Sequence, residues 1–255
     1  MHLPEIDKYA HLDSPLHRWD ARAKLVCLGL LLLAVVLSGS YPVALAGLGA
    51  ALLLAALSRI PPAFLFVHLR WVLLFCAFLL VVVPLRSAPA PDALVSAGPV
   101  AFSRGGLAEA GLVAVRATGA VLLILVMMGT SRFDVTLKAL RRLHVPQVAV
   151  QILAFSYRYV FVLLDELGRM LSAARARGSA GASWARRLHN TGSMVGMLFV
   201  RSFERTDRVY HAMLARGYTG EVRTLDRFRL RPADVAKGLL AVAAAAGLLC
   251  AGRLT

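Results

Sequence analysis

The stretch "LVCLGLLLLAVVLSGSYPVALAGLGAALLLAALS", residues 25–58, is apolar almost from end to end. One continuous helix of this length would measure about 50 Å at about 1.5 Å per residue, whereas the hydrocarbon core of a bilayer is about 30 Å thick. The segment "SGSYP" at 38–42 breaks the helix, because Gly39 loosens the backbone and Pro42 suits the first turn of a new helix. The stretch therefore predicts two membrane spans, at 21–38 and 41–58, with a short re-entrant hairpin as the alternative.

Three further apolar segments predict spans at 69–85, 107–129 and 235–252. Hydrophobic residues make up 58% of the 255 residues, which is more apolar surface than one soluble core requires. The predicted fold class is an all-α integral membrane protein of about five transmembrane helices, with long cytoplasmic coupling helices inserted before the last span. The corresponding division is 1–130 for the N-terminal tail and spans one to four, 131–234 for the coupling helices, and 235–255 for the last span and tail.

The positive charge is concentrated in one segment. Residues 131–234 contain eighteen Lys and Arg against eight Asp and Glu, so they hold +10 of the total net charge of +15. The positive-inside rule places this segment in the cytoplasm, and the same rule with the parity of the spans places the N-terminus there too. We therefore predict a multi-pass protein of the cell (inner, cytoplasmic) membrane, in contact with the lipid bilayer.

Nucleic-acid binding is not predicted despite the basic composition. The chain has no zinc-ligand spacing and no aromatic and glycine pattern of an RNA-binding sheet, and its charges lie between apolar blocks.

The basic segment has helical periodicity. A short helix is predicted over "RFDVTLKALRRL", a second from about Pro146 to Gly178, and a third from about Ser183 to Gly217. Each long helix has a polar stripe, formed by Arg158, Asp165, Arg169 and Ser172 on the second and by Arg201, Glu204, Arg205 and Arg208 on the third. Helices of this kind can present a polar surface to a partner.

The two long helices end with the same three residues, Ala176-Arg177-Gly178 and Ala215-Arg216-Gly217. Glycine commonly terminates helices, and a cation in the last turn is favoured by the helix dipole. The similarity nevertheless extends further back, since Asp165 and Arg169 precede the first ending at the offsets at which Glu204 and Arg208 precede the second. These acid-to-arginine steps predict i,i+4 ion pairs, and the whole unit repeats with a period of 39 residues.

Each repeated unit is a stiff helix that presents one guanidinium at its end, followed by a glycine that allows close approach. Arginine suits such a contact better than lysine, because its planar fork binds a carboxylate or several carbonyls at once. Two equal tips indicate two similar acceptors, such as a pair of homologous subunits.

Four segments carry a resemblance to a known family: "DSPLHRWDARAKL" at 13–25, "GTSRFDVTLKALRRLHVP" at 129–146, "SYRYVFVLLDELGRMLSAARARG" at 156–178 and "ERTDRVYHAMLARGYTG" at 204–220. The chain resembles the T component, or transmembrane coupling protein, of energy-coupling factor (ECF) transporters (CbiQ/EcfT type), in its cobalt branch. One departure is Ala21, where the pattern has proline.

The resemblance implies a non-catalytic subunit of an ATP-driven importer. In the family the two Ala-Arg-Gly tips dock on two ABC-type ATPase subunits, and the coupling helices and spans hold a substrate-binding membrane subunit. Arg177 and Arg216 are then the mechanical contacts. No cofactor is expected on this chain, and ATP and Mg are expected on the ATPase subunits; the chain also lacks a GxxxxGK[ST] phosphate loop.

Other polar residues receive weaker interpretations. The segment "HLDSPLHRWD" contains His11, Asp13, His17 and Asp20 but lacks the i,i+4 spacing of helical ligands, so no metal site is predicted. Arg116 lies mid-span and is interpreted as a structural or subunit contact. Tyr157, Arg158 and Tyr159 fit an interfacial belt or a contact with the substrate subunit equally well.

Two other functions fit the sequence less well. A self-contained permease should show broken helices near the midplane and inverted repeats, and only Arg116 suggests such a route. A membrane enzyme should cluster carboxylates or histidines, whereas Asp165, Glu166, Glu204 and Asp207 are interleaved with arginines. The preferred cargo is cobalt by family branch, with nickel or a vitamin as alternatives.

Overall fold

The computed structural model describes residues 11–86, 93–97, 100–178, 183–220 and 232–254, which form eight helices and three short strands. The helices are α1 (Ala21–Leu37), α2 (Tyr41–Ser58), α3 (Pro62–Val82), α4 (Arg104–Gly129), α5 (Phe133–Arg142), α6 (Gln147–Ala176), α7 (Trp184–Ala215) and α8 (Pro232–Leu254). The strands are β1 (Leu85–Arg86), β2 (Ala93–Ala97) and β3 (Val100–Ser103). The predicted helical membrane fold is confirmed.

Two local features differ from the sequence-based expectation. Helix α3 begins at Pro62, seven residues before the predicted start at 69, because proline fits the first turn of a helix and does not delay it. The predicted loop at 86–106 contains a small antiparallel sheet of order β1-β3-β2 and the start of α4.

Five helices in the described ranges are long and apolar enough to cross a membrane, namely α2, α3, α4, α6 and α8. Their number agrees with the predicted five, but their membership differs. The 17 residues of α1 are at the lower limit for a span. Helix α6 qualifies because its first eighteen residues contain a single charged side chain, Arg158, whereas Asp165 to Ala176 contain four.

The chain divides into two compact units. The first consists of Met1–Leu143 with Phe228–Thr255, and the second is His144–Arg227. The first unit is a bundle in which α4 packs against α1, α2 and α3, and α8 packs against α1.

Val35 on α1 is a point of close helix packing in the first unit. It is fully buried, and a side chain in place of Gly47 on α2 would lie within 2.6 Å of its Cγ2 atom. Gly119 on α4 faces the same valine. Small residues at these positions let the three helices approach closely, as packing in a membrane requires when burial of apolar surface gives no net driving force.

Lys24 is a buried basic residue near the start of α1. Its ammonium donates hydrogen bonds to the Thr130 carbonyl (3.0 Å), the Thr130 hydroxyl (3.2 Å) and the Ser131 hydroxyl (2.8 Å). Thr130 is the C-cap of α4, so the cation satisfies a terminal carbonyl at the negative end of the helix dipole. Lys24 therefore joins α1 to the end of α4, immediately before α5.

The second unit is built on an antiparallel pair, α6 and α7. Gln151 near the start of α6 bonds to Tyr218 after α7, and Glu166 bonds to Arg201 in the middle of both helices. Val150 is the only buried residue within this pair, and α7 buries none. Large side chains such as Phe199 and Phe203 are about 70% exposed. The pair is therefore held mainly by polar contacts. Its exposed apolar side chains are available to contact a membrane or a partner.

Replacing Lys24 with methionine is expected to destabilise the first unit by about 1–3 kcal/mol, because the Thr130 carbonyl and the Ser131 hydroxyl would lose a charged donor. The measurement is reversible unfolding in mixed micelles followed by tryptophan fluorescence. The matched control is Lys237→Met, since Lys237 is only half-buried and donates to a single acceptor among the described residues, the Pro15 carbonyl. Equal stability of the two variants would contradict the structural role of Lys24.

Candidate functional site

The first arginine tip lies at the end of α6. Ala176 is the last helical residue, and Arg177 is the C-cap with φ −86° and ψ 14°. Gly178 follows with φ +80°, a conformation that favours glycine, and its N–H donates to the Arg175 carbonyl at 3.0 Å. This bond is one half of the glycine-dependent helix stop known as the Schellman motif.

The second tip, at the end of α7, has the same local structure. Arg216 is the C-cap with φ −92° and ψ 11°, and Gly217 has φ +80°. The Gly217 N–H donates to the Leu214 carbonyl at 2.9 Å, and the Tyr218 N–H donates to the Met213 carbonyl at 3.0 Å. The two sequence repeats therefore fold into two equivalent helix ends.

Both tip arginines are exposed. Among the described residues, neither the Arg177 nor the Arg216 guanidinium donates a hydrogen bond or forms an ion pair. Four of the eight other arginines on the two helices form ion pairs with acids, namely Arg169, Arg201, Arg205 and Arg208. The tips thus present two guanidinium groups whose donors are available to another molecule.

The predicted ion pairs are realised in one repeat only. Arg208 lies 3.8 Å from Glu204, as expected from the i,i+4 spacing. In the first repeat the expected partner of Arg169 was Asp165, and this was wrong: Arg169 pairs with Glu166 at 2.7 Å, while Asp165 is exposed. Arg169 pairs with Glu166, its i,i+3 neighbour, because the Glu166 carboxylate faces α7 and also contacts arginines of that helix.

Glu166 is the electrostatic centre of the helix pair. Besides Arg169, its carboxylate accepts a hydrogen bond from Arg201 at 2.6 Å and lies 3.7 Å from Arg205. Its side chain is only 13% exposed, so these contacts are less screened than ordinary surface pairs. One carboxylate between three guanidinium groups holds α7 against α6 at mid-length.

A cleft of about 930 Å³ lies beside the first tip, between α6 and α7. Arg177 and Gly178 form one end of its lining, and Arg186 and Asn190 contribute from the start of α7. Three methionines add apolar surface, namely Met170, Met194 and Met197. The cleft is therefore basic and partly apolar, which suits an acidic protein surface.

The chain after the second tip is bonded back to α6. The Gly220 carbonyl accepts hydrogen bonds from Gln147 Nε2 at 3.2 Å and from Gln151 Nε2 at 3.1 Å. The Tyr218 hydroxyl donates to Gln151 Oε1 at 2.9 Å. The second tip is thus fixed to the first turns of the neighbouring helix.

The candidate subunit contacts remain predictions. Arg116 is half-buried in α4, and its Nε atom is buried without a hydrogen-bond partner among the described residues. Tyr157 packs edge-to-face on Phe161 with ring centroids 5.2 Å apart, and Arg158 is exposed.

The acidic groups of the N-terminal segment are engaged with arginines. Asp20 is the N-cap of α1, accepting from the Arg22 N–H, and also pairs with the Arg22 side chain at 3.1 Å. Asp13 lies 3.6 Å from Arg18. Ala21 is the first residue of α1, a position where proline is also well tolerated, so the departure from the family pattern leaves the turn intact.

Sequence reasoning did not identify Glu166 or Gln151 as residues that shape the site, and it did not identify Lys24 as an internal contact of the first unit. Lys24 lies within the predicted span at 21–38, and a lysine in a span is a signal of internal pairing. Nothing in the local sequence distinguishes Glu166 from Asp165, because the choice depends on α7.

A multi-span helical protein with an exposed, amphipathic helix pair and two equivalent arginine tips fits the transmembrane component of a transporter. Comparison with known proteins agrees, since residues 13–225 match the model of the CbiQ family, described as cobalt transport protein. The chain belongs to this family and is a T component of an ECF transporter.

Individual relatives are distant but cover most of the chain. The cobalt transport protein CbiQ of Rhodobacter capsulatus is 32% identical over the full length of both chains. The transmembrane protein EcfT of the energy-coupling factor transporter of Bacillus subtilis is 28% identical over 84% of each chain. An uncharacterized protein of Methanocaldococcus jannaschii is 26% identical over 90% of this chain and 80% of its own.

Replacing Glu166 with glutamine is expected to loosen the α6–α7 pair, because an amide cannot attract three guanidinium groups as a carboxylate does. Hydrogen–deuterium exchange followed by mass spectrometry should then be faster in the middle of both helices. Asp165→Asn, which removes a neighbouring exposed charge, serves as the control and should leave exchange unchanged. Unchanged protection in both variants would refute the role of Glu166.

Proposed function

We propose that this chain is the energy-coupling subunit of an ABC-type importer, linking two ATPase subunits to a substrate-binding membrane subunit for cobalt uptake. The observation that supports it best is the pair of equivalent tips at Arg177 and Arg216, both exposed and both without an internal acceptor in the described chain. Two equal donors fit two related ATPases.

Each tip offers a planar fork of donors beside a glycine with no side chain. Carboxylates or clustered backbone carbonyls of the ATPase subunits are the matching acceptors. The glycine at position 178 or 217 removes the side chain that would hold the partner's backbone away.

The coupling subunit itself makes no chemical bond in this proposal. ATP and Mg are bound by the ATPase subunits, and their closure on ATP displaces the tips. Because α6 and α7 are joined by Glu166 and its arginines, the two helices move together and transfer the displacement to the membrane unit. The exposed apolar side chains of the pair face the substrate-binding subunit.

The proposed topology follows the charge distribution. The N-terminus and the coupling helices lie on the cytoplasmic side of the inner membrane, where the ATPases are located. The cargo is proposed to be cobalt because the matching family model and the R. capsulatus relative are both described as cobalt transport proteins. Nickel is the next candidate, followed by a vitamin.

Reversing both tip charges tests the docking step. The chain is co-expressed with its ATPase subunits, and the wild type is compared with Arg177→Glu plus Arg216→Glu in a detergent pull-down. We expect the double variant to pull down about tenfold less ATPase than the wild type does, because the charge reversal turns attraction into repulsion at both contacts.

The matched control is Arg175→Glu plus Arg187→Glu, which changes the net charge equally but leaves the tips intact. It should retain most of the ATPase. Docking through the tips would be wrong if both double variants retained the ATPases equally well.

Uptake of labelled metal by proteoliposomes containing the complete complex tests the cargo. Cobalt is expected to accumulate in an ATP-dependent manner, and excess unlabelled cobalt should compete better than nickel. Uptake by this chain alone, without ATPase subunits, would instead indicate a self-contained permease.

A further inference from the structure

The second tip is connected to α6 by a set of four residues that we call the tip tie: Gln147, Gln151, Tyr218 and Gly220. Three hydrogen bonds of 2.9–3.2 Å form it. Tyr218 follows Arg216 by two residues, and Gly220, with φ +90°, turns its carbonyl toward the glutamines. The position of Arg216 is thereby defined relative to the start of α6 as well as by its own helix.

Gln151 is the central member of the tip tie. Its amide nitrogen donates to the Gly220 carbonyl while its amide oxygen accepts from the Tyr218 hydroxyl. Among common side chains of this length, a carboxylate has no donor and an ammonium has no acceptor, so only an amide makes both bonds. Gln147, one turn earlier, adds a single bond to the same carbonyl.

The tip tie ends close to the covalent junction between the two compact units. The first unit includes Leu143, and α6 begins at Gln147. Two of the three connecting residues are conformationally restricted: His144 has φ +65°, and Pro146 has a ring-locked φ. If Arg216 is displaced and the tip tie holds, the displacement therefore acts on Gln151, one turn after the start of α6.

We infer that Gln151 is a positioning residue that passes the displacement of the second tip, through Tyr218 and Gly220, to the start of α6. This inference rests on the proposed coupling function and refines it. The first tip lies at the opposite end of α6, so its displacement must travel the whole helix to reach the junction. The two tips, although locally equivalent, then act on the membrane unit by different routes.

The test uses the complete complex reconstituted in proteoliposomes, with the metal that the wild type accumulates. Gln151→Leu is expected to retain both ATPase subunits and to hydrolyse ATP. Its metal uptake per ATP hydrolysed should fall about fivefold, the factor that corresponds to a typical net hydrogen-bond contribution. Tyr218→Phe, which removes a single hydroxyl, should show a smaller loss in the same direction.

A double variant and a matched control make the assignment specific. Tyr218→Phe added to Gln151→Leu should lower uptake no further, because both changes break the same tie. Thr206→Val is the control: Thr206 lies on α7 and its hydroxyl donates only to the Ser202 carbonyl of its own helix. It should transport like the wild type.

A distance measurement reports on positioning without reference to transport. Spin labels are placed at exposed Val148 and Thr219 in a background in which the three native cysteines are replaced. The distance distribution should be narrow in the wild type and in Thr206→Val, and clearly broader in Gln151→Leu.

Two results would overturn the inference while leaving the proposed function intact. One is wild-type uptake per ATP with an unchanged distance distribution in Gln151→Leu. The other is loss of the ATPase subunits in this variant, which would make Gln151 part of the docking surface. Failure of the proposed function is recognised separately, by retention of ATPases after both tip arginines are reversed.

Discussion

The helix pair α6 and α7 is held by polar contacts at Glu166 and at the tip tie, and the relative position of the two arginine tips depends on that pairing. A conventional core is missing from the described part of the pair, where Val150 alone is buried. Instead, the carboxylate of Glu166 lies between three guanidinium groups and joins the two helices. Directional polar contacts fix the relative position of two helices while leaving their apolar faces uncovered.

The first unit, in contrast to the helix pair, is held mainly by apolar packing. Its helices pack through small residues and fully buried aliphatic side chains such as Leu28, Leu123 and Val126. Its principal polar contact, Lys24 with Thr130 and Ser131, is entirely internal and satisfies the end of α4. A tightly packed bundle and a helix pair with exposed apolar side chains fit the coupling role proposed for this chain.

Features that local interactions determine could be predicted from the sequence, whereas contacts between distant segments could not. Hydropathy located the helices, and α6 and α7 end at the arginines that the repeated pattern identified, because glycine at C′ is a local signal. The pairing of Arg169 was assigned to the wrong acid, since Asp165 and Glu166 differ only in which of them faces α7. The tip tie joins residues about 70 positions apart, and no local pattern reveals it.

By itself, therefore, the sequence determined that the chain is a helical membrane protein with two arginine-tipped helices, because apolar run length, charge asymmetry and helix-stop chemistry all act within a few turns. The tertiary structure alone decided which acid holds the helices together, that Lys24 is internal, and that the second tip is bonded to the start of α6. Those outcomes depend on antiparallel pairing of α6 with α7 and on the packing of α1 against α4. Contacts between distant segments arise only when the chain is folded, so no local spacing specifies them.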